Sequence, residues 1–395
     1  MKDHKRRLSY GVILFYSLML LPVWMWAVWI LWPKTPLIIA IVDKTVLSAD
    51  GQEHASLTWV LRNQKYSKAN NELYKVKTDY FGFFPKSDHK YELKGLERFT
   101  HKQLDEISSL SDMMYVTDTY GIYSKEWFSG LNITQRSSLI YGGLSANDLY
   151  LIKKMKDQKK LIIAEFNTFA SPTNPAIARD MEKTFKIKWT GWVGKYFDSF
   201  DTLQNRDLPI WLIRDYKKQN NNLWPYKKSG IAFVNSNEKI VILEYIKDLN
   251  SEVPYIITSK YNREKYNIPK SIKYPFWFDV VQTSRSNQIL SFYNLEVTSR
   301  GRKKLEENGI PPQFPAIIEH NRDDYKFYYF CGDFADNPIT QAGSYFKGIH
   351  FFRKMFYNND IAAERSSFFW EFYAPIITGI LDDYETELRI NTTRK

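Results

Sequence analysis

Along the chain, short runs that are apolar throughout alternate with longer stretches whose apolar positions recur every three or four residues. The short runs "IIAIVD", "MMYVTD", "LIIAEF" and "FYYFCGD" predict strands buried on both faces. Between them, "EHASLTWVLRNQKY", "THKQLDEISSL", "SANDLYLIKKMKDQKK" and "PTNPAIARDMEKTF" keep a helical period. Thr100 and Ser145 read as helix N-caps, and Asp148 completes an acidic capping box three residues after Ser145. Pro175 suits a first helical turn. Two further strands are expected in "YKVKTDYFGFFP" and "IKWTGWVGKYF". Alternation of this kind predicts the α/β class, with a mostly parallel sheet sandwiched by helices.

The texture changes after Asp198. From about residue 225 to 295 the chain is β-rich, and "GIAFVNSNEKIVILEYI" reads as a hairpin around Asn235-Ser-Asn-Glu. Helix returns at "TSRGRKKLEENG", and "YFKGIHFFRKMFY" and "SFFWEFYAPIITGILDDYETEL" are expected to be helices too. Residues 36–395 thus read as one α/β domain with a β-rich middle section.

One apolar stretch has a different destination. Residues 11–32, "GVILFYSLMLLPVWMWAVWILW", carry no charge and follow a tail, residues 1–10, with four Lys/Arg against one acid. A helix of this length spans roughly 33 Å at about 1.5 Å per residue, enough for a bilayer core. The run is too long for a signal-peptide core and lacks a small-x-small cleavage site. A retained single-pass anchor in the cell (inner) membrane is therefore expected. The basic flank would be cytoplasmic and the bulk of the chain periplasmic or extracellular. The single cysteine, Cys331, excludes an intrachain disulfide. The sequons at Asn132 and Asn391 carry no weight in a composition that reads as bacterial. Net charge is +11, and outside the cytoplasm this favours envelope components over nucleic acid as partners.

With the elements in order, a resemblance emerges. A first strand ending in Asp43, a third running into "DTYG", and "YGGLS" before a helix and "LIIAEF" resemble the class I glutamine amidotransferase-like superfamily, whose fold is flavodoxin-like. It covers roughly residues 37–197. In that family the strand matching "LIIAEF" leads into a Gly-x-Cys-x-Gly elbow that carries the nucleophile. Here the matching residues are Ala164, Glu165, Phe166 and Asn167, with neither cysteine nor glycine. The resemblance therefore implies the fold without amidotransferase chemistry.

The chemistry must then come from elsewhere. The predicted strands end in Asp43, Asp118, Glu165 and Asp333, with Asp336 just beyond. Parallel neighbours would bring these acids to one sheet edge, as candidates for ligand binding together with Tyr120, Asn167 and Trp192. Strand ends also favour Asp as a turn former. Glu165 and Asp333 are the candidate catalytic pair of a glycoside-hydrolase-type alternative. The aromatic segments "WTGWVGKYF" and "YPFWFDVV" offer faces for sugar rings or for core packing. No nucleotide-binding loop is present. The six histidines show no ligand spacing, and Asp333-x-x-Asp336 is a small part of a calcium shell, so no metal and no cofactor is expected. The reading is a membrane-anchored extracytoplasmic protein of cell-envelope or surface-polysaccharide assembly that binds carbohydrate or another envelope protein. The alternative is a carboxylate-based hydrolase acting on surface polysaccharide.

Overall fold

The computed structural model describes residues 10–129, 137–205 and 207–393. Most of the basic tail (residues 1–9) and the sequon at Asn132 lie outside the described residues. Fourteen strands matter below. They are β1 (Ile39–Asp43), β2 (Phe81–Pro85), β3 (Tyr91–Leu93), β4 (Met113–Val116), β5 (Leu161–Ala164), β6 (Ile187–Phe197) and β7 (Gly230–Asn235). After these come β8 (Ile240–Glu244), β9 (Tyr255–Thr258), β10 (Ser271–Lys273), β11 (Trp277–Thr283), β12 (Gln288–Asn294), β13 (Gln313–Asn321) and β14 (Lys326–Phe330).

Ten of them form one sheet in the order β10-β9-β12-β13-β14-β5-β4-β1-β2-β3. Its centre, β2-β1-β4-β5-β14, is parallel. Numbered along the chain, this centre has the 2-1-3-4-5 order of flavodoxin-like sheets. The expected mostly parallel sheet is corrected to a mixed one. The strands on the β14 side and β3 at the other end pair antiparallel; short hairpins join β2 to β3 and β13 to β14, while the β9–β10 and β12–β13 connections each carry a helix. The strand "IKWTGWVGKYF" also moves: β6 joins a separate antiparallel sheet, β8-β7-β6-β11. The fifth parallel strand is β14 instead. A bulge at Gly191, with φ 90°, interrupts the β6–β11 register between Trp189 and Trp192; this is a backbone conformation that suits glycine.

The helices begin where the caps predict. Thr100 accepts from Gln103 N and Ser145 from Asp148 N, each in a reciprocal capping box. β7 and β8 form the expected hairpin. The stretch "YFKGIHFFRKMFY" is not one helix; Gln341–Tyr345 and Ile349–Met355 are short 3₁₀ turns on either side of Gly348, φ 81°. One large core runs through the ten-stranded sheet and its helices. A smaller core, around Phe200, Leu212, Tyr226 and Ile242, lies under the helix Ile210–Gln219.

The N-terminal apolar run is also corrected. It forms two helices, Tyr10–Met19 and Leu21–Leu31. Pro22 lacks an amide hydrogen and crowds the carbonyl four residues before it, which breaks regular helix. Among the described residues no helix is long and apolar enough to cross a membrane. The second helix docks on the domain: Trp29 is buried, donates to the Arg62 carbonyl at 3.1 Å and stacks under Lys65 Nζ, 4.0 Å from its centroid. Around that one ring, Trp24, Trp26, Leu31 and Trp32 stay exposed.

Candidate functional site: an acidic crevice

The parallel strands bring their carboxyl ends to one edge, where the order reverses between β1 and β4; ligands of open α/β sheets bind at such switch points. Asp43 ends β1 there and is fully buried. Its Oδ2 accepts from the Glu53 amide at 2.9 Å and meets His54 Nδ1 at 2.7 Å. Those bonds fold the loop between β1 and the helix Ala55–Gln64 back over the strand end. His54 Nε2 meets the Val76 carbonyl at 3.0 Å, so both ring nitrogens are engaged. The next residue, Lys44, is buried on Asp148 and on the Gly143 carbonyl.

Asp118, two residues beyond β4, is buried and accepts from Tyr120 N at 2.7 Å and from the Asn167 side chain at 3.1 Å. Burial pushes its carboxyl up to about 7 against the pull of those two donors, and Asp43 and Asp279 add to the rise. Glu165, directly after β5, is sealed. It is 0% exposed and accepts from the Tyr115 hydroxyl and from the Ala335 amide, the latter at 3.1 Å. Burial raises it to about 8, with Tyr115 and Ala335 pulling the other way. Tyr115 Oη lies 2.9 Å from Tyr373 Oη.

At the far side β14 runs into Asp333 and Asp336. An isolated bridge between Phe278 and Gly332 ties β11 to this segment, and the Asp333 amide donates to the Trp277 carbonyl at 3.3 Å. The half-buried rings of Phe276 and Trp277 therefore border the acids. Arg365 lies 3.5 Å over the Phe276 ring and donates to Asp336 Oδ2 at 3.1 Å. Lys195 Nζ is 5.0 Å from the Trp277 centroid; burial, then Arg365, lower its pKa.

One carboxylate oxygen each of Glu53, Asp333 and Asp336 lies within 4.8 Å of the others. Burial raises Glu53 and Asp333 well above the usual carboxylate range, and Asp336 is the next cause for both. No metal site is expected from the histidines, yet the fold assembles this all-oxygen group from a loop and a strand end far apart in the chain.

The structure thus gathers Asp43, Asp118, Glu165, Asp333, Asp336, Tyr120 and Asn167 at or next to the carboxyl edge. Trp192 is placed elsewhere, as a buried ring of the main core. Tyr120 is 38% exposed at the rim, its ring 4.8 Å from that of Tyr123. Sequence reasoning missed Glu53, Asp279, Lys195 and Arg365. Glu53 had a readable signal, because it lies in the polar turn "SADGQEHAS" directly after the first strand, where switch-point loops contribute ligands. Asp279 had another: an acid inside "YPFWFDVV" must be buried with partners. It accepts from the Tyr329 hydroxyl and from the Asn167 amide, and burial raises it to about 7.

No family model matches the chain, and no curated protein matches it. Solved structures give low-identity likenesses. A cytoplasmic protein from Salmonella typhimurium LT2 is 10% identical with TM-score 0.38, over 89% of this chain and 99% of that one. A carbohydrate deacetylase is 9% identical with TM-score 0.31, over 76% of this chain and 30% of its own. A ThuA-like protein from Bacteroides uniformis is 8% identical with TM-score 0.31, over 76% and 84%. At such identities and scores these likenesses carry no argument about function.

Proposed function

We propose that the chain is a membrane-anchored, extracytoplasmic binding protein of cell-envelope or surface-polysaccharide assembly, and that the acidic crevice is its ligand seat. The observation that carries this is the Glu53–Asp333–Asp336 cluster bordered by the half-buried rings of Phe276 and Trp277. Carboxylate acceptors beside an aromatic face suit a polyhydroxylated ligand, whose hydroxyls donate while its ring stacks. Anchoring is supported by the uncharged helices at residues 10–31. It is also supported by apolar side chains that continue onto the 3₁₀ turn beside them, where Phe351 and Met355 are 77% and 79% exposed. The Lys347 amide donates to the Met25 carbonyl at 3.1 Å, joining the two surfaces.

The hydrolase alternative draws support from Glu53 and Asp333 rather than from Glu165. Both oxygens of Glu165 are engaged in a closed interior, whereas Glu53 and Asp333 are neighbouring acids with raised proton affinity. The binding reading is tested with the full chain in detergent on arrays of envelope glycans, with a pulldown of envelope components alongside. Retention of a glycan, weakened at least tenfold by Trp277→Ala, is the expected result. Absence of binding to every envelope component overturns it.

A further inference from the structure

The crevice gathers more carboxyl groups than it has cations to pair with them. Asp43 is hydrogen-bonded to His54, and Asp336 is paired with Arg365. Glu53 and Asp333 have no ion pair among the described residues; Lys195 lies over rings and reaches Asp333 and Asp336 only through its longer-range field. Moreover Glu53 Oε2 and Asp333 Oδ1 are buried without a hydrogen-bond partner, and Asp333 is only 5% exposed. A buried carboxylate oxygen with nothing to accept from costs about 1–3 kcal/mol or more. Such atoms in a native fold call for an explanation, and an ion is one.

Other buried acids do not raise the same question. Asp148, Glu244, Asp248 and Asp279 each keep one oxygen without a hydrogen-bond partner. Asp148, however, is paired with Lys44, Glu244 with Lys247 and Asp248 with Arg300 and Lys304, and Asp279 is served by Tyr329 and the Asn167 amide. None belongs to a group of three; among the described residues Glu53, Asp333 and Asp336 are the one such group.

We infer that Glu53, Asp333 and Asp336 bind a hard divalent cation of the calcium, magnesium or manganese type at the mouth of the crevice. The donor set is all oxygen, which favours these ions over zinc or copper. The one histidine nearby, His54, is committed at both nitrogens. Glu53 and Asp336 are half-buried, so one side of the group opens to solvent. The remaining coordination positions would be filled there by water or by hydroxyls of the bound ligand. Asp43 and Asp118 add their field to Glu53, while Arg365 offsets part of the charge at Asp333. The inference rests on the reading of this crevice as a ligand seat and adds the ion through which a hydroxylated ligand would be held.

The test uses the full chain in detergent, stripped with a chelator and titrated with calcium, magnesium and manganese chloride by calorimetry and by thermal melting. One ion per chain and a raised melting midpoint are expected. Glu53→Gln and Asp333→Asn should each weaken binding at least tenfold; Glu53→Gln, on a partly exposed loop, keeps the test valid if the other variant misfolds. No heat and no midpoint shift with any of the three ions overturns the site, as does binding that neither substitution weakens. Glycan arrays run with and without chelator separate the two proposals. Cation binding without glycan binding upholds the ion site and overturns the carbohydrate seat. Glycan binding that persists in chelator, with no cation bound, does the reverse.

Discussion

Two ends of one crevice treat buried carboxylates in opposite ways. At the Glu165 end, the acid is enclosed and both oxygens have donors: the Tyr115 hydroxyl and the Ala335 amide. At the Glu53–Asp333–Asp336 end, three carboxylates face one another and two buried oxygens have no donor. A satisfied buried acid ties a fold together, while an unsatisfied cluster is a cost that a ligand can remove. Glu165 is therefore held as part of the fold. The unsatisfied oxygens belong to acids on the neighbouring loop and just beyond the last parallel strand.

The largest expected effect separates the two ends by sign. Glu165→Ala strips Tyr115 and Ala335 of their acceptor in a dry interior and opens a cavity between β4, β5 and the Phe334–Ala335 segment. A loss of about 3 kcal/mol in unfolding free energy is expected from such a change, read by denaturant melts in chelator. Asp333→Asn under the same conditions should leave stability unchanged or raise it by about 1 kcal/mol, because it removes a like charge from the cluster. Equal losses at both positions would erase the distinction.

This contrast also shows what could be read from sequence. The parallel centre was legible, because β1, β4, β5 and β14 are buried on both faces and their apolar runs have no polar interruption. So was the convergence of acids, since each run ends in one. What could not be read was which acids would be satisfied. Tyr115 lies inside β4 and Ala335 170 residues beyond Glu165, and no local pattern links them. Glu53 was read as the first residue of the helix "EHASLTWVLRNQKY", although it lies in the loop that follows the first strand. The placement of β6 failed for another reason. Its apolar and aromatic content suits either sheet, and its partners β7 and β11 are set by tertiary pairing rather than by its own sequence. In the anchor segment the composition and Pro22 are both readable, but the docking of Trp29 on Arg62 and Lys65 is not, since no local pattern links them.

The smallest effect sharpens the comparison most, because it isolates the proton on Glu165. Its carboxyl is raised to about 8, first by burial, and Asp279 to about 7 by the same cause; ordinary values lie near about 4. The folded state therefore holds protons more firmly than the unfolded chain. Stability from this source is complete below about pH 4 and falls as pH rises towards about 8. Near pH 7 Glu165 is mostly protonated. Once protonated it can reverse the bond that the ionised carboxylate accepts, donating to Tyr115 Oη, which then turns its own hydrogen to Tyr373 Oη 2.9 Å away, while the other oxygen keeps the Ala335 amide. Glutamine can make the same two bonds, with its amide nitrogen donating to Tyr115 and its oxygen accepting from Ala335. Glu165→Gln should therefore change stability at pH 7 by less than about 0.5 kcal/mol while flattening the decline between pH 5 and about 8. The groups facing it, Asp118, Asp333 and Tyr115, stay in place, so the part of the slope that disappears belongs to Glu165. Thermal melts of both proteins across that range decide it. A variant with the full wild-type slope would mean that the decline does not come from Glu165.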